Sequence, residues 1–431
     1  MANRIDDDVL QLVFEEFVRR DSWKWPDAEY DQDVAERPFL LAAVSRHWRS
    51  LALATATLWA YFGFPGDARS YPKHSERLRV LLDASKNALV DIIVTLGSPY
   101  DFDSQSIADE ARDATAILTA LGLLGPRWRN VRFRLPSNVT EHLRPALEAP
   151  LPNLTSLSAV TSVTWNILPP APRLEQLYVE WGELAPGEVP TNLPNWNYPL
   201  LSSFTVMGEL LAIAIYMHNF STLTHICFNH DMRDPPETPL YFPQALSLTL
   251  DDALFLPHIR APRLIQLGVR GNSSFNFSQP LSGFETVELL VLYGDVTNDI
   301  TEALEPLSGI RMLDFHIPNA VWTCLIRDTE WSISSTFFSS LNEDTNGPTW
   351  PRLERIRLRL PREGAGETDY DTIDLLNFIQ VRNTDLALAQ RTARIAEIIV
   401  DKLTMITDKA HTKLAEMMTT VIRATPLGAD K

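Results

Sequence analysis

The chain has 431 residues, of which 45% are hydrophobic and 22% are charged, so it can hold one large folded domain and a smaller one beside it. Its formal net charge of −17 argues against unspecific nucleic-acid binding, which needs a basic surface. Its two cysteines form neither a disulfide framework nor a zinc set, and no stretch approaches the roughly 18 apolar residues of a membrane span.

The first eight residues are acidic and lack the apolar core of a signal peptide. Together with the scarcity of thiols, this predicts a protein of a reducing compartment, the cytoplasm, the nucleus or both. We therefore expect its partners to include neither nucleic acid nor a membrane.

Residues 1–62 have a pattern of their own and predict three short helices. Apolar residues recur at three- and four-residue spacings at Val9, Leu10, Val13, Phe14, Phe17 and Val18. The acids at 6–8 stand where a helix start favours negative charge. Residues 21–37 are polar and predict a loop, after which a second helical run opens at Pro38 and continues toward Trp59. So small a core needs a partner, either the rest of the chain or another protein.

The order of residues in this block resembles an F-box. The resemblance rests on DDVLxxVF at 7–14, on FxLxxVSRHWR at 39–49 and on the Leu-Trp pair at 58–59. It is closest to F-box-like proteins of mushroom-forming fungi. The chain departs from them in its Ile5-Asp6 opening instead of Leu-Pro, in Ser45 instead of a common Cys, and in its long loop.

In that family the F-box lays apolar side chains on the Skp adaptor, which connects it to a cullin ubiquitin ligase. The resemblance implies that the adaptor-binding residues are Ile5, Val9, Leu10, Phe14, Leu41, Val44, Trp48 and Trp59. The alternative is that these side chains only pack the helices together and against the segment that follows. For Val13, Phe17, Val44 and Trp48 we favour this packing.

Residues 63–127 predict a connector that covers the amino-terminal end of the remaining fold. We expect a helix over 76–84, a β-branched strand over 90–96 and a second amphipathic helix over 109–124. Stacked repeats need such a cap, because a terminal unit would otherwise expose its core face.

An eight-residue motif, PRLEQLYV at 172–179, recurs in degenerate form through residues 128–369. Its first apolar position falls at Val131, Leu154, Leu174, Leu201, Leu223, Ala245, Leu264, Val287, Ile310 and Leu353. The intervals are 23, 20, 27, 22, 22, 19, 23, 23 and 43 residues. A period of roughly 20 to 29 residues built on L-x-x-L-x-L is typical of leucine-rich repeats. We predict an α/β fold, in which the small three-helix block precedes an irregular leucine-rich-repeat solenoid with a parallel concave sheet.

Alternation along each predicted strand separates an inward from an outward side. Leu177 and Val179 should point inward, whereas Gln176 and Tyr178 should face out. Ten strands at about 4.8 Å spacing give a wall of about 43 Å, which suits a protein target rather than a small molecule. The outward residues proposed to bind a target are Arg132, Arg134, Gln176, Tyr178, His225, Gln266, Arg270, Tyr293, Arg355, Arg357 and Arg359.

Cationic residues gather at both ends of this predicted wall. They suit an acidic or phosphorylated segment, because the guanidinium fork matches carboxylate and phosphate. The alternative, which we favour for 355–359, is that these arginines keep an edge strand soluble.

Two segments break the period. Residues 316–350 form either one cryptic repeat or a long insertion. Residues 370–431 predict a carboxyl-terminal cap with helices over 370–380 and 408–422 and a strand over 395–400.

No arrangement of catalytic residues rises above chance. GxSxG, HExxH, GxxxxGK[ST] and GxGxxG are all missing, and Gly364-Ala365-Gly366 lacks a third glycine. His225, His230 and Asp231 predict no metal site, because their strand register separates them. The sequence therefore predicts a protein without catalytic residues, cofactor or metal, whose partners are the Skp adaptor, the cullin ligase core and a target protein. A scaffold for protein interaction outside the ligase, with the helices as its cap, is the alternative function.

Overall fold

The computed structural model describes residues 6–19, 30–64, 71–95, 107–135, 141–161, 170–181, 198–207, 221–229, 239–250, 253–270, 281, 283–293, 296, 299–304, 306–316, 337–341, 350–359, 370–383, 393–401, 408–417 and 420–424. The chain divides into two compact units, Met1–Tyr216 and Met217–Lys431. Each unit combines helices with a parallel sheet, so the predicted α/β class with parallel strands is confirmed.

The described residues of the first unit form helices followed by six strands. Its helices are α1 (Asp7–Val18), α2 (Gln32–Val44), α3 (Arg46–Ala54), α4 (Tyr71–Ser85), α5 (Ile107–Gly122) and α6 (Arg144–Glu148). Three short 3-10 helices span Ala56–Trp59, Gly125–Arg127 and Glu141–Leu143. Its strands are β1 (Tyr61–Phe64), β2 (Val90–Thr95), β3 (Trp128–Leu135), β4 (Ser156–Thr161), β5 (Gln176–Trp181) and β6 (Ser203–Met207).

These six strands pair in chain order, each parallel to the next. The sheet is open, because β1 pairs with β2 and not with β6.

Ten strands lie in the described residues of the second unit. Eight of them pair in parallel: β7 (His225–Asn229), β9 (Ser247–Leu250), β11 (Gln266–Arg270), β12 (Leu289–Tyr293), β13 (Met312–His316), β14 (Arg355–Arg359), β15 (Glu397–Asp401) and β16 (Thr420–Ala424). The short strands β8 (Leu240–Tyr241) and β10 (Ile259–Arg260) pair with each other. The other elements are a 3-10 helix at Ala253–His258 and the helices α7 (Asp299–Leu304), α8 (Phe337–Ser340), α9 (Tyr370–Arg382) and α10 (Asp408–Met417).

One turn precedes most copies of the motif. The N–H of Leu174 donates to the carbonyl of Ala171, and Leu201, Leu264, Val287 and Leu353 donate in the same way to the carbonyl three residues earlier. The first apolar residue of each of these copies is thereby held just before its strand, and its side chain is buried. The motif is thus a turn that drives one apolar side chain into the core and starts a strand.

The core of each sheet consists of aliphatic rows that run across the strands. In the first unit Leu177 lies between Leu157 and Phe204, and all three are buried. In the second unit Leu267 lies between Leu248 and Leu290. The predicted inward positions Leu177 and Val179 are confirmed.

The first copy of the motif begins three residues earlier than the count from Val131. Val131 pairs with Leu157 rather than Leu154, so Trp128 occupies the first apolar position. Trp128 is fully buried, and its Nε1 donates to the carbonyl of Leu121 at 3.1 Å. The sequence pattern did not reveal the start of this first copy, because a tryptophan stands where the other copies have an aliphatic residue. Its indole N–H is satisfied by a carbonyl of helix α5.

The amino-terminal helices also differ from the prediction. Helix α2 begins at Gln32, inside the stretch that we expected to be loop, and it contains Pro38. The Asp31 side chain accepts the N–H of Val34 at 3.0 Å, and burial of Val34 and Leu41 outweighs the proline. Helix α3 is separate, because Ser45 ends α2 and caps the next helix through the N–H of Trp48.

The carboxyl-terminal elements bear on one open alternative and correct one expectation. Strand β13 pairs directly with β14, which fits an insertion between them rather than a cryptic repeat, although most of residues 316–350 lie outside the described residues. Helix α10 ends at Met417, and Thr420–Ala424 forms β16 instead of continuing the predicted helix. Val421 pairs with Ile398 of β15. β-Branched residues such as Val421 and Ile422 favour strands over helices, and β15 supplies the backbone hydrogen-bond partners.

We expect the motif leucines to be far more sensitive to truncation than their neighbours. Leu264→Ala should lower the free energy of unfolding by about 2–5 kcal/mol, because Leu264 is fully buried. Ile265→Ala, one residue later, should cost less than about 1 kcal/mol, because Ile265 is 48% exposed. Urea denaturation of both variants measures the difference, and equal losses would contradict the described turn.

Candidate functional site

Half of the residues matched to the F-box form the interior of the helical block. Leu10, Phe14, Leu41 and Trp59 are buried there. The rings of Phe14 and Trp48 lie 4.8 Å apart between centroids, and Trp48 is half-buried. The Nε1 of Trp59 donates to the carbonyl of Ala52 at 2.7 Å. These five side chains hold the helices in place, whereas Ile5 lies outside the described residues.

Other apolar side chains of the block are exposed. Val9, Val13 and Phe17 of α1 are exposed by 50%, 53% and 45%, and Leu40 and Val44 of α2 by 58% and 61%. Our expectation that Val13, Phe17 and Val44 pack inside the block is wrong. Leu10 and Phe14 already fill the interior side of α1, which leaves its neighbouring stripe without a place in the core.

Helical geometry places these residues in one exposed stripe on each of the two helices. Val9, Val13 and Phe17 are spaced four residues apart and span about 80° of α1, and Leu40 and Val44 are likewise one turn apart. Arg37 of α2 binds the carboxyl end of α1, where its Nη1 donates to the carbonyl of Phe17 at 3.0 Å. Its guanidinium also lies 5.7 Å from the centre of the Phe17 ring. We call Val9, Val13, Phe17, Leu40 and Val44 the α1–α2 apolar face.

Exposed apolar residues are unevenly distributed along the chain. Twelve large hydrophobic side chains are exposed in the described part of the molecule, and seven of them lie between Val9 and Leu53. Scattered exposed apolar residues are ordinary, but a contiguous group indicates an interaction surface.

The outward side of the sheet in the first unit is less exposed than predicted. Gln176, Arg132 and Arg134 are half-buried, and Tyr178 is buried. Tyr178 pairs in register with Ser158, which is also buried. Tyr178 is thus packed against the sheet and presents almost no surface to a target.

A hydrogen-bonded polar row crosses the first strands of this unit. Arg129 Nε and Nη2 donate to the two carboxylate oxygens of Asp91 at 2.9 and 2.6 Å. Asn130 Nδ2 donates to Asp91 at 2.9 Å and its Oδ1 accepts the hydroxyl of Ser156 at 2.7 Å. The hydrogen bonds to Asp91 raise the pKa of the Arg129 guanidinium above its ordinary value. Sequence reasoning missed this row, because neighbouring strands bring together residues that lie 26 to 39 positions apart in the chain.

In the second unit the predicted cationic residues are paired with neighbouring strands. Arg355 Nε lies 3.4 Å from Glu397 of β15, and Arg357 Nη1 lies 4.0 Å from the buried Asp314 of β13. Strand β14 therefore lies between two strands, and the interpretation of 355–359 as an edge strand is wrong. Cross-strand ion pairs account for Arg355 and Arg357, and the side chain of Arg359 lies outside the described residues.

The remaining outward positions of the second unit differ in exposure. His225 is exposed, and Gln266 and Arg270 are half-buried. Tyr293 is buried, and its hydroxyl donates to the carbonyl of Leu250 at the end of β9. Tyr293 thus reaches across β11 and ties two strands together.

No group of three His, Cys, Asp or Glu side chains among the described residues is arranged to hold a metal ion. In the same part of the chain, every helix is too short or too polar to cross a membrane. No model of a known protein family matches the sequence, and no curated protein is detectably similar to it.

The α1–α2 apolar face is the site that the described residues support best. The F-box resemblance supplied Val9 and Val44, but not Val13, Phe17 or Leu40. The four-residue spacing of Val9, Val13 and Phe17, beside the equally spaced Leu10 and Phe14, was the signal for a second apolar stripe. One helix cannot bury both stripes in a block of this size.

We expect Tyr293 to act through stability rather than target binding. Tyr293→Phe should lower the free energy of unfolding by about 1–2 kcal/mol, because the buried carbonyl of Leu250 loses its donor. Tyr241→Phe is the matched control, because Tyr241 is 61% exposed, and it should change stability by less than about 0.5 kcal/mol. Thermal unfolding followed by circular dichroism compares the two, and an unchanged midpoint for Tyr293→Phe would contradict this role.

Proposed function

We propose that this protein is an F-box adaptor of a ubiquitin ligase. In this proposal residues 1–62 dock on the Skp adaptor, which links them to the cullin ligase core. The parallel strands that follow belong to leucine-rich repeats, and they hold the target protein. The protein itself supplies no catalytic residue, and transfer is accelerated because adaptor and target are held together.

The α1–α2 apolar face is the observation that carries this proposal. Burial of each of its five side chains on a partner contributes about 1 kcal/mol, which is a sizeable part of a specific association. Val9 and Val44 of the residues implied by the resemblance lie in this face, and Val13, Phe17 and Leu40 extend it. Leu10, Phe14, Leu41 and Trp59 would then support the face from beneath rather than form it.

The alternative function is an interaction scaffold whose helices only cap the sheet. The block does pack against the next elements, since Arg77 of α4 donates through Nη2 to the carbonyl of Ala35 at 2.6 Å. Gly63 of β1 also leaves room for the ring of Tyr30, which a Cβ there would meet. A cap, however, needs a polar outer surface for solubility. The exposed apolar face favours docking over capping alone.

Capping and docking are compatible, because they use different side chains of the helical block. One side of the block packs on α4 and β1, and the α1–α2 apolar face remains for a partner. Deletion of residues 1–62 would therefore destabilise the first unit under either function and does not distinguish them. Only substitutions in the exposed face do.

The described residues argue against a highly charged target surface in the second unit. Arg355 and Arg357 are both committed to carboxylates of adjacent strands, so a phosphorylated segment would have to compete with them. His225 and Gln266 of the second unit, and Gln176 of the first unit, remain as partly or fully exposed polar positions for target contact. We propose that the protein acts in the cytoplasm or nucleus, where its ligase partners operate.

The docking surface is tested by charge substitution within the exposed face. Val13→Asp and Val44→Asp should each weaken binding of a recombinant Skp adaptor from a mushroom-forming fungus by about a hundredfold, because a desolvated carboxylate would enter the apolar contact. Isothermal titration calorimetry measures the affinity. Both residues are exposed, so circular dichroism should show an unchanged fold.

Leu123→Asp is the matched control for these variants. Leu123 is 81% exposed and lies outside the helical block, so its substitution should leave adaptor binding within about twofold of the original. If folded Val13→Asp and Val44→Asp bind the adaptor as well as Leu123→Asp does, docking through this face is ruled out. If the unsubstituted protein does not bind the adaptor, the scaffold function is the better explanation.

A further inference from the structure

A second surface of α1 borders a groove of about 620 Å³. Glu15 is two residues from Val13 and from Phe17, which places it about 200° around the helix from each of them. Glu15 therefore lies on the opposite side of α1 from Val13 and Phe17 of the α1–α2 apolar face.

The groove combines an apolar lining with an excess of negative charge. Leu12, Val18, Val34, Leu58 and Ala60 supply the apolar part. The lining contains three carboxylates, those of Glu15, Glu16 and Asp91, and two guanidiniums, those of Arg19 and Arg129. Its net charge is therefore −1.

Glu15 accounts for this excess. Asp91 is bound by Arg129, and Glu16 lies 3.3 Å from Arg19. Glu15 is half-buried and has only neutral donors, Thr57 Oγ1 at 3.0 Å and Gln11 Nε2 at 3.4 Å. Both donate to Oε1, so Oε2 has no hydrogen-bond partner among the described residues.

We propose that this groove binds one lysine or arginine side chain from an extended segment of a partner protein, with Glu15 Oε2 as its counter-ion. Long basic side chains bury an aliphatic stem on apolar surface and keep the charged end on a carboxylate, which is the combination found here. The chain's net charge of −17 attracts basic partners over a longer range.

The groove offers a counter-ion to a single basic residue. Asp91 is bound by Arg129 and Glu16 by Arg19, so among the described lining residues a second cation would find no carboxylate without a basic partner. An apolar neighbour would meet Leu12 or Val18. The groove therefore selects a basic residue between apolar residues over a polybasic run.

This groove and the proposed adaptor contact are independent. Glu15 and the α1–α2 apolar face occupy different sides of α1, so a substitution of Glu15 should leave Skp adaptor binding unchanged. Measuring both activities on the same variants separates a failure of this inference from a failure of the proposed ligase role.

The test is a selection of random nonapeptides displayed on phage against the immobilised full-length protein. Peptides recovered on the unsubstituted protein, and not on Glu15→Lys, should be enriched in a single lysine or arginine flanked by apolar residues. The most enriched peptide is then synthesised with a fluorophore, and its affinity is measured by fluorescence anisotropy. Replacing its basic residue with glutamine should weaken binding by about tenfold.

Glu15→Gln should also weaken binding of this peptide by about tenfold, since the amide keeps the contacts of Oε1 but loses the charge. Glu36→Gln is the matched control, because Glu36 is an exposed carboxylate of α2 outside the groove and the change in net charge is the same. Its effect should stay within about twofold. A selection that yields no binder, binders without a basic residue, or equal effects of Glu15→Gln and Glu36→Gln would each overturn the inference.

Discussion

The aliphatic rows inside each sheet are the constraint on which the rest of the structure depends. Leu157, Leu177 and Phe204 cover one another from strand to strand in the first unit, as Leu248, Leu267 and Leu290 do in the second. A slip of one residue would turn every inward side chain out, so the register is fixed by burial. Because the strands are parallel, the turn with the first leucine always lies at the same edge of the sheet.

The helical block shows how one short segment can support two surfaces. Leu10, Phe14, Leu41 and Trp59 fill its interior, and Arg77 and Gly63 attach it to the strands. With these demands met, two other sides of α1 are left partly exposed. One presents the α1–α2 apolar face, and the other presents Glu15 to a groove. This division explains why the block can act as a cap and still be proposed to dock on an adaptor.

Charge on the sheet is largely neutralised across strands. Arg129 with Asp91, Arg355 with Glu397 and Arg357 with Asp314 each join residues that are far apart in sequence. The sequence of this strand alone suggests that Arg355 and Arg357 form a cationic surface for an acidic ligand. Their carboxylate partners lie on neighbouring strands, so the sheet removes most of that charge. Glu15 differs because its hydrogen-bond donors, Thr57 and Gln11, are both neutral, and this difference identifies the groove.

The sequence by itself determined the strand-forming motif, its period and the inward direction of Leu177 and Val179, because these depend on local spacing and alternation. It also located helices α1, α4, α5 and α9 to within a few residues. It misplaced the first copy of the motif, since Trp128 fills a leucine position with the help of a helix carbonyl, and it missed β16, whose strand form depends on β15 beside it. Tertiary structure alone decided which apolar residues of α1 and α2 remain exposed and which charged side chains form ion pairs. Both outcomes depend on neighbours from distant parts of the chain, whose identity no local pattern contains.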